Sequence, residues 1–112
     1  MLSHKFFQME SEHILKEPKW FLSVDVPEKA ILLSDDIIVN NPLFLKGFKT
    51  FKVSFNNPDE GLDYHGVTII PSSSILDFLD NLIKVKGQKV HDLISLCNEV
   101  RDNGNYLIHF GI

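Results

Sequence analysis

Residues 66–110 read GVTIIPSSSILDFLDNLIKVKGQKVHDLISLCNEVRDNGNYLIHF, and this stretch decides the fold class. Its opening, Gly66 to Ile70, is short and β-branched, the composition of a strand, and Pro71 ends it. Apolar residues then recur at Ile75, Phe78, Leu79, Leu82 and Ile83, the spacing of one helix face. Ser72, Ser73 and Ser74 stand where a helix start leaves backbone N–H groups to be capped. Beyond Gly87 a second stripe runs through Val90, Leu93, Ile94, Cys97 and Val100, and Asn103-Gly104 supplies a stop. Two consecutive helices are therefore predicted, over about 73–86 and 88–102. Tyr106 to Phe110 closes the stretch as another strand.

Upstream the signals are of strands. Trp20, Leu22, Val24 and Val26 alternate with Phe21, Ser23 and Asp25, the period-two pattern of a half-buried strand. Phe51, Val53 and Phe55 alternate with Thr50, Lys52 and Ser54 in the same way, and the lysines suggest an edge strand. Residues 31–33 and 37–39, separated by Ser34-Asp35-Asp36, read either as a hairpin or as irregular packing. Residues 5–16 are weakly helical, without a clean stripe. The chain is thus expected to be α+β, with a mostly antiparallel sheet, two consecutive C-terminal helices on one face, and a C-terminal strand. The two helices also leave enough chain for a parallel crossover between residues 67–70 and the last strand.

With 112 residues, one domain spanning 1–112 is expected. Cys97 is the only cysteine, so no intramolecular disulfide is available, which fits a reducing compartment. The first ten residues lack the apolar core of a signal peptide, and no uncharged run approaches the ~18–20 residues of a membrane span. A cytoplasmic protein without a membrane partner is the expectation. Net charge is −4, unevenly spread: between Lys52 and Lys84 there is no Lys or Arg, while Asp59, Glu60, Asp63, Asp77 and Asp80 all fall inside. Nucleic-acid binders show the opposite bias, because phosphate neutralisation needs clustered cations, so no nucleic-acid partner is expected. An acidic segment steers a basic partner instead.

No catalytic constellation emerges. His4, His13, His65, His91 and His109 lack the close pairing of metal ligands, so each reads as a surface or internally satisfied histidine. Cys97 lies on the apolar stripe of its helix, where a free thiol behaves as a small hydrophobe. The six glycines form neither a P-loop nor a dinucleotide fingerprint, and no cofactor is implied. The carboxylate groups Asp35 with Asp36, and Asp59 with Glu60 and Asp63, sit in turn-forming sequence and lack a spaced catalytic partner. A binding protein, not an enzyme, is the expectation.

The stretch from Gly61 to Asp80 places a glycine-bounded aromatic turn before a short strand ending in Ile-Pro, then a serine-rich helix start. Together with the closing residues 106–112, it resembles immunity proteins of contact-dependent growth inhibition and related polymorphic toxin systems. The resemblance implies a protein that binds one cognate bacterial toxin domain and blocks its active site or substrate path. Such toxins are frequently nucleases with basic grooves. Asp59, Glu60 and Asp63 would then be contacts and Tyr64 an anchor, with Asp35 and Asp36 as further acidic candidates. The alternative is a non-catalytic regulatory or structural interaction protein, with a homodimer pairing an exposed strand as one form of it.

Overall fold

The β-branched run after Gly66 becomes a central strand of a six-stranded sheet in the computed structural model, which describes residues 2–10 and 12–112. In chain order the elements are β1 (Ser3–Met9), α1 (Glu12–Leu15), β2 (Ile31–Ser34), α2 (Asp35–Val39), β3 (Lys49–Lys52), β4 (Pro58–Glu60), β5 (Val67–Pro71), α3 (Ile75–Leu82), α4 (Gln88–Asn103) and β6 (Tyr106–Phe110). Short 3₁₀ turns cover Trp20–Leu22, Pro42–Phe44 and Ser72–Ser74. The strand order is β2-β1-β6-β5-β3-β4, and every neighbouring pair is antiparallel. The α+β class holds, with the helix pair and the terminal strand in place.

The parallel option for β5 and β6 is excluded by the helices between them. Pro71, at the end of β5, lies opposite Tyr106, at the start of β6. Two helical passes, one out and one back, return the chain to the end it left, whereas a single pass would have given a parallel pair. The first pass is shorter than expected, because α3 stops at Leu82. Lys84 and Val85 donate to Asn81 and Leu82 instead, tightening the last turn so that Val85 folds back on the core. None of the three serines caps α3; they form a 3₁₀ turn, and Ser74 is buried. Gly87 and Gly104 bound α4 as expected, Gly104 in the left-handed conformation of a helix C-cap.

Both faces of the sheet are covered. On one, Phe6, Leu33, Ile70 and Leu107 meet Phe78, Leu82, Val90, Leu93, Cys97 and Val100 of the helices. On the other, Phe7, Ile69 and Ile108 lie under Leu15 and Trp20, with Val24 and Val26 partly buried against them. The segment 12–30 is therefore a strap over the second face, and the strand expected at 20–26 does not form. Its alternation has a different origin: Trp20, Val24 and Val26 face the sheet from above, and Leu22 is 72 % exposed. The Trp20 indole N–H donates to the Val53 carbonyl, which pins the strap.

Two further expectations change. Residues 5–9 are strand, not helix: Phe6 points to the helices and Phe7 to the strap, so successive residues are both buried. Residues 31–39 form neither a hairpin nor irregular packing but a strand running straight into α2, where Asp35 and Asp36 occupy the favourable first turn. β3 is not an edge strand, because β4 pairs outside it. It ends at Lys52, where Val53 takes a positive φ of 69°, a strained conformation for a β-branched residue. Phe55 leaves the strand yet still packs edge-on against Phe51 at 5.1 Å.

Candidate functional site

The loop from Gly61 to Gly66 joins β4 to β5 and carries Asp63 and Tyr64. It is held at both ends by contacts that only glycine permits. Gly61, at φ +68°, has no room for a Cβ against the Leu45 carbonyl, and a Cβ on Gly111 would strike the Tyr64 carbonyl. Gly111 N–H donates to the Gly66 carbonyl at 2.7 Å, and Ile112 N–H to the Tyr64 carbonyl at 3.2 Å. The chain's last residues therefore fasten the loop over the end of the sheet.

Beneath that loop runs a continuous hydrogen-bonded chain. Asp63 N–H donates to Thr68 Oγ1 at 2.8 Å, and Thr68 Oγ1 lies 3.2 Å from His109 Nδ1. His109 Nε2 is 2.8 Å from His4 Nδ1, and His4 Nε2 is 3.0 Å from Asp35 Oδ1. Tyr64 donates its hydroxyl to the same Asp35 oxygen. Strand alternation explains the assembly: His4 with Phe6, Thr68 with Ile70, and His109 with Leu107 all point to the helix face, and Thr68 and His109 are register partners. All three are buried, the histidines completely.

Proton bookkeeping on this chain gives two consistent arrangements. In one, His4 donates from Nε2 only, His109 donates to His4 Nδ1, and Thr68 donates to His109. In the other, His4 carries both protons and donates to Asp35 and His109, which then donates to Thr68. The two differ by a single proton, and His109 is neutral in both. Burial, with His4 nearby, holds the His109 pKa down at about 3. Hydrogen bonds from Tyr64 and then His4 lower the Asp35 pKa, and the same Asp35 bond raises that of Tyr64. Burial pushes the Cys97 thiol up to about 12, so it is an unreactive packing residue.

The six acidic and aromatic candidates thus divide. Asp35 and Tyr64 are joined to each other and turned inward. Asp63 is half-buried and lies 3.5 Å from Lys52 Nζ, so its charge is partly compensated. Asp36 is exposed at the start of α2. Asp59 and Glu60 are exposed on β4, at the far edge of the sheet from β2. Five strand spacings, roughly 24 Å, separate the two edges, so these carboxylates do not form one patch. His4, Thr68 and His109 were not singled out by sequence, beyond the reading of each histidine as surface or internally satisfied.

Around β4 the acids are displayed. Asp59 and Glu60 border a shallow depression of about 790 Å³ that also takes in Phe48, Lys49, Ser73 and Asp77. Lys49 is the register partner of Glu60 and the only cation among the residues lining it. The Asp59 carboxylate accepts the Glu60 N–H and the Glu60 carboxylate accepts the Gly47 N–H, each at 2.8 Å. Among the described residues no group of three or more metal-ligating side chains converges. No helix there is long and apolar enough to cross a membrane. Comparison with protein-family models, with curated proteins and with solved structures gives no match.

Proposed function

We propose that this chain is an immunity protein of the cytoplasm that neutralises a bacterial toxin domain, docking on a cationic surface around the toxin's active site or substrate path. The observation that carries the reading is the β4 edge. Asp59, Glu60 and Asp77 are exposed around one depression, against one lysine. A basic groove, such as a nuclease uses for its substrate, is the complementary partner, and charge complementarity of this kind raises the rate of encounter. The docking surface is narrower than the acidic interval of the sequence, because Asp35 and Tyr64 serve the internal chain and Asp63 faces Lys52. The two buried histidines belong to the fold and not to the docking surface: both ring nitrogens of His4 and of His109 lie on protein partners.

Co-expression with the toxin domain encoded beside this gene tests the proposal. A stoichiometric complex is expected, inhibiting the toxin. The Asp59→Lys, Glu60→Lys double variant should bind at least about tenfold more weakly while remaining folded, and its association should depend less on salt. Absence of a complex with any neighbouring toxin domain, or full protection by the double variant, would overturn it.

A further inference from the structure

The two edges of the sheet are built by opposite rules. β4 is Pro58-Asp59-Glu60, three exposed residues that combine a proline with two charges, the usual protection of an edge against another strand. β2 is Ile31-Leu32-Leu33-Ser34, outermost on the other side, with no charge, proline or glycine. Alternate residues of an edge strand turn their N–H and C=O groups outward, and only β1 pairs with β2 in the sheet. Leu32 is 45 % exposed beside this edge.

We infer that two copies of this chain associate through β2, antiparallel about a two-fold axis at Leu32, so that their sheets become continuous. The register follows from the faces. Setting Leu32 opposite Leu32 of the second copy puts Ile31 opposite Leu33 and Ala30 opposite Ser34, keeps the three central cross-strand pairs apolar, and leaves both helix layers on the same side. A one-residue slip would set the helix face of one copy against the strap face of the other. The flanks carry both signs: Lys29, exposed just before β2, arrives at position 35 of the second copy, and the exposed Glu28 arrives at position 36, where Asp36 repels it, so the apolar strand and not its flanks holds the pairing. An isologous pairing repeats each contact twice. It also leaves β4 of each copy at the outer ends of the joined sheet, so the association is independent of toxin docking.

Sedimentation over a hundredfold concentration range, without any toxin, reads the inference directly. The chain is expected to shift from monomer to dimer, and Leu32→Lys should weaken the dimer at least about tenfold with an unchanged circular dichroism spectrum. Leu32→Cys provides the second reading, since directly opposed residues of an antiparallel pair lie within disulfide reach and Cys97 is buried. Mild oxidation should cross-link this variant into a homodimer, whereas Leu22→Cys, exposed on the strap, should remain largely monomeric. A monomer at every concentration, a dimer unaffected by Leu32→Lys, or cross-linking no faster at position 32 than at position 22 would each overturn the inference. The first of these outcomes would leave the edge to a strand from a different protein.

Discussion

Asp35 and Glu60 are both carboxylates in turn-rich sequence, and the fold uses them in opposite ways. Asp35 accepts hydrogen bonds from His4 and Tyr64 and ends a polar chain that crosses from β1 through β6 to β5. Glu60 sits on an exposed edge and accepts a single backbone N–H from Gly47. The difference is one of neighbours. Asp35 follows a strand that delivers it to the mouth of a buried histidine pair, whereas Glu60 follows a proline on the last strand of the sheet. A carboxylate surrounded by donors organises the interior; one surrounded by water and a lone lysine is available to another molecule.

The largest effect is expected at the buried end. His109 is fully buried between Thr68 and His4, and its ring also packs 5.0 Å from Phe6. His109→Ala opens a cavity and strips His4 Nδ1 and Thr68 Oγ1 of the partner between them, leaving His4 only Asp35 and Thr68 only the Asp63 N–H, which should cost about 3 kcal/mol in urea unfolding. A loss no larger than that of a surface substitution would show that the chain does not hold the interior together, and the contrast with the edge would fail.

The second effect is on pH. An unfolded histidine takes up a proton near 6.5, while His109 in the folded protein resists until about 3. The unfolded state therefore binds more protons between those values, and stability must fall as pH drops through that window, by up to about 1.4 kcal/mol for each pH unit. Above 6.5 the contribution is complete. Asp35, whose pKa is lowered, adds its own loss only below the ordinary carboxylate value of 3.8. Urea midpoints measured from neutral to mildly acidic pH should show the decline, and His109→Phe should flatten it. A wild-type midpoint that stays level as pH falls through 5 would remove His109 from the account.

The sequence disclosed those parts of the fold whose periodicity survives in a single face. α4 follows its stripe because only one side meets the sheet, and β6 is recognisable because its run of large apolar residues, broken only by His109, is central in the sheet. β1 was misread because its two faces are both covered, so Phe6 and Phe7 are adjacent and buried and no alternation remains. The strap over 12–30 imitates a strand because it lies across one, and β2 with α2 is too short for any period to develop. The site divides likewise. The exposure of Asp59 and Glu60 was legible from the polar run after Asn56-Asn57-Pro58, but the turn expected there is the strand β4, because its pairing with β3 is a tertiary contact that local turn chemistry conceals. His4 and His109 are 105 residues apart, and Tyr64 and Asp35 are 29 apart, so their union belongs to the sheet topology and leaves no short-range signature.

The smallest effect on stability is expected where the effect on binding is greatest. Asp59→Ala with Glu60→Ala removes two carboxylates that accept, among the described residues, from exposed backbone N–H groups, so unfolding free energy should move by no more than about 0.5 kcal/mol. The same change removes most of the negative charge beside Lys49, and a cationic partner should associate more slowly, with a shallower dependence on salt. These two readouts separate display from architecture. If the double variant unfolded as readily as His109→Ala, the edge would belong to the scaffold and its charge could not be assigned to docking. If stability held and association were unchanged as well, β4 would be a protected edge and nothing more, with its proline and acids serving only to keep foreign strands away.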